Sequence, residues 1–161
     1  RNDLQEVVST IKNLRVTKGI EVFVIDYLQL MAGKGKNRDQ EIGEITRALK
    51  RVAMELNVPI ITGAQLNRET EKNEAAMPSL ANLRESGNIE QDADLVMFLY
   101  RPWYYGMKKE LARQAASKPA DENVSKDEKK LDVIVAKQRN GSTGSVVLDY
   151  DLNRQTIEDR R

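Results

Sequence analysis

The residues best suited to chemistry in this sequence are polar side chains that follow short apolar runs. Asp26 ends the run Glu21–Asp26, and Gln65 stands just after the run Pro59–Gly63. In open parallel sheets, ligands bind beyond the carboxyl ends of the strands. A carboxylate there can hold magnesium directly or through water, and an amide can donate to a phosphate oxygen while accepting from a water. The alternatives are ordinary ones, in which Asp26 caps its strand and Gln65 bonds to a loop backbone.

A further candidate is the string Lys137-Gln-Arg139-Asn-Gly141, at the turn of a predicted hairpin. Two cations two positions apart on an extended strand share one face. Ammonium and guanidinium groups that point to one target suit the capture of phosphate. The alternative is a solvated turn, in which the Asn-Gly pair supplies the positive φ angles of a tight hairpin.

Two other strings carry the features of an anion site. The segment Arg84–Asp94 is densely polar, and Gly87 precedes a predicted helix start where free backbone N–H groups can face an anion. The alternative is that its acids simply lie on the surface. The string Gly33–Lys36 resembles a phosphate-binding loop but fails its pattern, because Leu30 replaces the first Gly and Asn37 replaces the Ser or Thr. No other string in the sequence matches that pattern.

Composition narrows the chemistry further. The chain has 161 residues with no Cys and no His, which excludes imidazole and thiolate metal sites, His-activated nucleophiles and disulfides. Catalysis is left to carboxylates, Lys, Arg, hydroxyls and amides, with a hard cation. Lys and Arg total 26 against 25 Asp and Glu, so no global positive charge indicates nucleic acid. No apolar run reaches membrane-spanning length, so we expect a cytoplasmic protein without a membrane partner.

These candidates require a scaffold of alternating helices and strands. Apolar residues at helical spacing predict a helix over Leu4–Leu14, already under way where the chain begins, and a second helix over Asp39–Leu56. The predicted strands after the first two are Asp94–Tyr100, Leu131–Ala136 and Ser145–Tyr150. The fold class we expect is α/β, with a mostly parallel sheet flanked by helices and a C-terminal β-hairpin. Residues 103–130 are rich in Lys, Glu and Ala, and we expect a flexible insertion there.

Taken in order, several strings resemble the C-terminal motor domain of DnaB-type replicative DNA helicases. The most specific are Arg84-Glu-Ser-Gly-Asn-Ile-Glu-Gln-Asp-Ala-Asp94 and Ala136-Lys-Gln-Arg-Asn-Gly141. The others are Val24-Ile-Asp-Tyr-Leu-Gln-Leu-Met31, Asn37-Arg-Asp-Gln-Glu-Ile42, Leu56-Asn-Val-Pro-Ile-Ile61 and Gln65-Leu-Asn-Arg68. The resemblance runs from about Val22 to Tyr150, broken by the stretch 103–130. It implies a RecA-like fold, with residues 1–161 as a partial RecA-like helicase motor domain.

The resemblance also implies a role in ATP hydrolysis for four candidates. Asp26 is similar to the Walker B acid that holds magnesium, here through water. Gln65 resembles the glutamine that couples the state of the γ-phosphate to the DNA-binding loops. Lys137 and Arg139 look like the pair that reaches the nucleotide of the neighbouring subunit, in an arginine-finger arrangement. The implied cofactors are ATP and Mg²⁺, and the implied assembly is a homo-hexamer.

For single-stranded DNA, the resemblance implies two loops that line a central channel. Both would contact the phosphate backbone, so binding would tolerate any sequence and depend on salt. The residues of one loop are Arg84, Glu85 and Gly87, and those of the other are Lys34, Lys36 and Arg38. A primase and a helicase loader are further partners that the resemblance implies.

The chain departs from the family pattern in lacking the first half of the motor fold. The P-loop strand, its Lys and Ser/Thr, and the acid that activates water have no counterpart. In the family's fold the P-loop strand lies between the strand ending near Gly63 and the strand Asp94–Tyr100, so we expect an incomplete core with exposed ladder edges. We expect such a fragment neither to bind nor to hydrolyse ATP alone. The alternatives are a P-loop-less paralogue that acts as a DNA-replication assembly or binding module, and another RecA-like ATPase such as a recombinase or a clock-type ring.

Overall fold

The chain divides into two compact units. The computed structural model describes residues 2–66, 77–104 and 129–160, with backbone alone for residues 84–87. The first unit comprises Arg1–Asn67 and Ala81–Ala93, and the second comprises Arg68–Leu80 and Asp94–Arg161. Most of the predicted insertion 103–130, namely residues 105–128, lies outside the described residues.

Helices and strands alternate along the first unit, whereas the second consists mainly of strands. In chain order the first unit contains β1 (Asn2–Asp3), α1 (Leu4–Lys18), β2 (Phe23–Ile25), β3 (Met31–Ala32), α2 (Arg38–Leu56), β4 (Ile60–Thr62) and α3 (Gly87–Asp92). Short 3-10 helices lie at Leu28–Leu30 and at Leu80–Ser86, the latter leading into α3. The second unit contains β5 (Leu95–Tyr100), β6 (Lys130–Gln138), β7 (Gly144–Asp151) and β8 (Thr156–Asp159).

Helix α1 has its own start and stop signals. The Asp3 carboxylate accepts hydrogen bonds from the backbone N–H groups of Gln5 at 2.8 Å and Glu6 at 3.4 Å, so it satisfies donors that the first turn leaves unpaired. The helix ends at Gly19, whose φ of 65° is the left-handed conformation that glycine adopts without steric cost. The predicted helix is confirmed, but the prediction that it is already under way at the first residue is wrong, because Asp3 caps it.

Helix α2 carries the core of the first unit. Asn37 caps its start by accepting from the Gln40 N–H at 2.9 Å. The side chains of Ile42 and Ile45 on its inner face are essentially inaccessible to solvent. The predicted helix Asp39–Leu56 is therefore confirmed, with a start one residue earlier. Within the described residues, no helix has both the length and the apolar character that a membrane span requires.

Strands β2 and β4 form the parallel pair that the sequence predicts. Their register aligns Phe23 with Ile60 and Ile25 with Thr62. One face of this pair lies in solvent, because Val24 is 71% exposed and Ile61 is 56% exposed. Side chains alternate across a strand, so a pair covered on one face leaves the residues of its other face in solvent.

An antiparallel sheet in the order β5-β6-β7-β8 forms the second unit. Strands β6 and β7 make the predicted C-terminal hairpin, with Leu131 opposite Leu148. Strand β5 joins the hairpin by pairing with β6, and β8, which the sequence did not predict, extends it. The sheets that include β4 and β5 are separate among the described strands. Helices with parallel pairs and a C-terminal hairpin give the predicted α/β class.

Candidate functional site

Asp26 lies just beyond β2, at the edge where the sequence predicts a ligand. The backbone stays paired past both strands, since the Gly63 N–H donates to Ile25 O at 3.1 Å and the Leu28 N–H donates to Gly63 O at 3.0 Å. The Asp26–Tyr27 peptide bond is cis. A Cβ at Gly63 would lie 3.3 Å from the Tyr27 Cβ and 3.8 Å from Asp26 Oδ1. The glycine therefore allows a close approach to Tyr27 and places no side chain of residue 63 beside the exposed carboxylate of Asp26.

Gln65 follows β4 and is bonded at its backbone to the segment that carries Asp26. The Gln29 Nε2 donates to Gln65 O at 3.2 Å, and the Gln65 N–H donates to Gln29 Oε1 at 3.2 Å. Gln65 itself is exposed. Gln29 had no predicted role. The available signal was an amide side chain three positions after Asp26, within a string otherwise rich in apolar residues.

A single carboxylate at this edge is compatible with the way in which proteins usually hold magnesium. Among the described residues, no cluster of three or more Asp, Glu, His or Cys side chains could enclose a metal ion. Mg²⁺ rarely needs such a cluster, because it keeps several waters and is usually held by one or two carboxylates together with substrate phosphates. The exposed carboxylate of Asp26, beside a glycine that adds no side chain, has the chemistry for that arrangement.

The loop that contains Lys34 and Lys36 is held to the start of α2 through its backbone. The Gly33 N–H donates to Glu41 Oε1 at 3.0 Å, and the Lys34 N–H donates to Glu44 Oε2 at 2.5 Å. The Lys36 N–H donates to Gln40 Oε1 at 3.2 Å. Because the backbone amides face the helix and both lysines are exposed, the loop presents its cations to solvent on a constrained backbone.

Arg38 differs from the two lysines predicted to act with it. Its Nη1 contacts the Glu41 carboxylate and donates to Met31 O at 3.3 Å. The Arg38 side chain is 32% exposed and that of Glu41 is 10% exposed. Arg38 thus contributes to the base of the loop. The role of Glu41 was not predicted, although a carboxylate three positions after an arginine on a helix is a recognisable pairing signal.

The segment that contains Arg84, Glu85 and Gly87 runs from the 3-10 helix into α3, which begins at Gly87, close to the predicted helix start. The side chains of residues 84–87 lie outside the described part of the chain. Directly after them, Asn88 Oδ1 accepts from Arg47 Nη1 at 3.2 Å.

Helix α2 holds α3 at two more points. Thr46 Oγ1 donates to Asp92 Oδ2 at 2.5 Å. At Gly43, an added Cβ would lie 2.6 Å from the Asn88 side chain, so the glycine allows the close approach of the two helices. One helix therefore supports the loop that contains Lys34 and Lys36 and also α3, which begins at the end of the second segment. The resemblance implies a DNA-binding role for both segments.

Lys137 and Arg139 lie in the second unit, at the end of β6. Lys137 is opposite Val96 in the ladder, whereas Arg139 lies past the last residue of the strand. The Arg139 N–H donates to Asp94 O at 2.8 Å, and its Nε lies 3.1 Å from Asp94 Oδ1. The strand ends between the two cations, and Asp94 orients Arg139. That the two cations share one face stays a prediction.

The predicted residues thus fall into two groups. Asp26 and Gln65 lie together in the first unit, which also carries both predicted DNA segments, and Lys137 and Arg139 lie together in the second.

Comparison with known families gives one description for nearly the whole chain. A family model described as "DnaB-like helicase C terminal domain" matches residues 1–159. The "Replicative DNA helicase DnaB" of Rickettsia bellii (strain RML369-C) is 45% identical over 147 residues, which are 87% of this chain and 30% of that protein. The "Replicative DNA helicase DnaC" of Bacillus subtilis (strain 168) is 40% identical over 150 residues, which are 91% of this chain and 30% of that protein. The chain therefore spans under a third of these relatives.

Solved structures agree with the sequence relatives. One of them, described as an "ATPase Domain", matches with a TM-score of 0.80 and 33% identity, covering 99% of this chain and 52% of that one. "The Structure Of A DnaB-Like Replicative Helicase And Its Interactions With Primase" matches with a TM-score of 0.78 and 31% identity, covering 99% of this chain and 36% of that one. The predicted RecA-like α/β fold with its C-terminal hairpin is confirmed.

Proposed function

Because this chain belongs to the family of DnaB-like helicase C-terminal domains, we propose that it forms part of a replicative helicase that couples ATP hydrolysis to translocation on single-stranded DNA and to unwinding of the duplex. The proposal rests on the hydrogen bonds that connect the segments directly after β2 and β4. There the polar residues Asp26 and Gln65 follow two strands whose backbones remain hydrogen-bonded to each other. Phosphoryl transfer is catalysed largely by positioning and electrostatics, which such an edge can supply.

In this proposal Asp26 would hold the magnesium ion of bound ATP. ATP would supply the phosphoryl group that is transferred to water, and magnesium would reduce the negative charge of that group. Gln65 donates its amide N–H to a γ-phosphate oxygen and gives up that hydrogen bond when the phosphate leaves. The phosphate cradle comes from residues outside these 161, since the sequence contains no Gly-x-x-x-x-Gly-Lys-Ser/Thr string.

Lys137 and Arg139 act on the nucleotide of a neighbouring subunit in a homo-hexameric ring. Arg139 is paired with Asp94, and the two side chains are 51% and 56% exposed. An ion pair with so much exposure to solvent stabilises the protein by at most about 1 kcal/mol. Little free energy is therefore lost when Arg139 exchanges the Asp94 carboxylate for a phosphate oxygen. Until a nucleotide is present, the ion pair keeps the guanidinium extended from the turn.

Single-stranded DNA is bound by the two segments that α2 supports. Lys34 and Lys36 project as exposed cations from a loop with a bonded backbone, and Arg84 lies in the second segment. Contacts of this kind are made to phosphates and carry little sequence preference. A primase and a loader would bind the assembled ring; one of the matching helicase structures is described together with its interactions with primase.

The decisive experiment replaces Arg139 in the full-length protein. We expect Arg139→Ala to lower ATP turnover by about a thousandfold or more, as loss of an arginine finger does, while nucleotide binding is retained. Arg154→Ala is the matched control, because Arg154 is an exposed arginine of the same unit, in the turn between β7 and β8. Turnover by Arg139→Ala equal to that of this control would contradict the proposal.

Mixed rings separate action within a subunit from action between subunits. Subunits with Arg139→Ala and subunits with Asp26→Asn are each expected to be inactive alone. When they are mixed, some interfaces combine an intact Asp26 from one subunit with an intact Arg139 from its neighbour. Recovered turnover supports a site shared between subunits, and no recovery in rings shown to be mixed contradicts it.

A further inference from the structure

Gln29 has no role in the proposed function, although it contacts Gln65, which does. It lies in the 3-10 helix Leu28–Leu30, directly after the Asp26–Tyr27 peptide. Its side-chain amide donates to Gln65 O and accepts from the Gln65 N–H, both at 3.2 Å. A single side chain thus satisfies both backbone groups of a residue 36 positions away in sequence.

These bonds continue the β2–β4 ladder beyond the strands. The last paired residues are Ile25 and Thr62, and the backbone bonds at Gly63 extend the pairing by one step. At the next step the side chain of Gln29 takes the place of a strand backbone. It offers a donor and an acceptor, as a peptide group does.

Only an amide fulfils this function with a side chain of this length. Glu would accept from the Gln65 N–H but would place a second oxygen against the Gln65 carbonyl. Met has nearly the same shape but makes neither strong hydrogen bond. Because a backbone group left without a partner favours another conformation, replacing Gln29 lets the backbone of Gln65 move while the strands keep their pairing.

Given the function proposed above, on which this inference rests, we propose that Gln29 is a positioning residue that couples the Asp26 segment to Gln65. Asp26 and Gln29 lie on one short segment, and Gln29 holds Gln65 by two bonds. A displacement at the magnesium-binding residue is therefore transmitted to the residue that contacts the γ-phosphate. Gln29 touches neither nucleotide nor DNA in this role and acts through Gln65.

The test compares Gln29→Met with wild type in the full-length protein, and measures ATP turnover with and without single-stranded DNA. We expect the stimulation of turnover by DNA to fall about tenfold, as the removal of two hydrogen bonds of ordinary strength predicts. The KM for ATP should change much less than kcat, because Gln29 does not bind substrate. Gln5→Ala is the control, since Gln5 is an exposed glutamine on α1.

A double-mutant cycle shows whether Gln29 acts through Gln65. If it does, Gln29→Met adds no further loss of stimulation in the Gln65→Ala background, because the residue that it orients has already been removed. Additive losses, or an unchanged stimulation in the single variant, would overturn the inference. If Gln29→Met does not fold, Gln29→Asn, which keeps the amide but is one methylene shorter, is measured in the same cycle. Wild-type protein that shows no DNA-stimulated turnover would instead contradict the proposed function itself.

Discussion

Single side chains satisfy backbone donors at several of the described places where this chain changes direction. Asp3 does so before α1 and Asn37 before α2, and Asp151 does so in the turn between β7 and β8. The Asp151 Oδ1 accepts from the N–H groups of Asn153 at 2.9 Å and Arg154 at 3.2 Å. Short polar side chains favour such local bonds, which explains why these residues lie at the ends of elements and not within them.

The Asp151 turn predicts a pH effect with a definite sign. The backbone N–H groups of Arg154 and Asn153 stabilise the carboxylate and lower the pKa of Asp151 below its ordinary value of 3.8. Because the folded pKa is the lower one, the stabilisation is present above the unfolded pKa and is lost as the pH falls through the folded pKa. An NMR titration of the Asp151 carboxyl carbon should therefore have its midpoint below 3.8. A midpoint at or above this value would contradict the role of the two donors.

At the scale of elements, α2 organises the first unit. Its first two turns receive the backbone of the preceding loop through Glu41, Glu44 and Gln40. Gly35 lies against this helix so closely that an added Cβ would overlap the backbone nitrogen of Glu41. The loop conformation thus depends on a glycine as much as on the acids that bind it.

Replacement of Gly35 should disrupt the loop, whereas replacement of Gly141 should not. Gly35→Ala creates an overlap with helix backbone atoms, which cannot move away, and overpacking of this type costs about 1–3 kcal/mol. Gly141→Ala is the control, because the nearest atoms there belong to the flexible side chain of Gln138. Hydrogen exchange at the Gly33 and Lys34 amides should accelerate by about tenfold in the first variant. Equal exchange rates in both variants would show that the contact at Gly35 does not constrain the loop.

At the scale of the whole molecule, the positions of the charged side chains say more about the proposed binding of DNA than the net charge does. The formal net charge is only +1, yet Lys34 and Lys36 stand together on one loop of the first unit. In the second unit Lys137 lies opposite Val96, and Arg139 lies beside Asp94. In the ring that we propose, each subunit would repeat the same clusters, so a near-neutral chain would still line the channel with cations.

The salt dependence of the binding of single-stranded DNA tests whether these lysines contact phosphates. Replacing both Lys34 and Lys36 with Gln should weaken binding of single-stranded DNA of any sequence. It should also reduce the slope of log K against log salt by about 0.7 for each phosphate that is no longer neutralised. Lys18→Gln is the control, because Lys18 is an exposed lysine at the end of α1. An unchanged slope in the double variant would contradict the assignment of this loop to DNA.

The sequence by itself determined the helices, most strands, the C-terminal hairpin and the positions of Asp26 and Gln65 after their strands. These features depend on local periodicity, on capping residues and on polar side chains that follow apolar runs, all of which are readable within a few residues. The resemblance of ordered strings to one family added the RecA-like fold, which the structural matches confirm.

Only the tertiary structure decided which residues support these positions. Gln29 bonds to Gln65 across 36 residues, and Thr46 bonds to Asp92 across 46 residues. Arg139 is oriented by Asp94, which precedes a neighbouring strand of the sheet. Such contacts arise where distant segments pack together, so no spacing along the chain encodes them. The sequence shows which side chains could do the chemistry, and the packing of the segments shows which other side chains hold them in place.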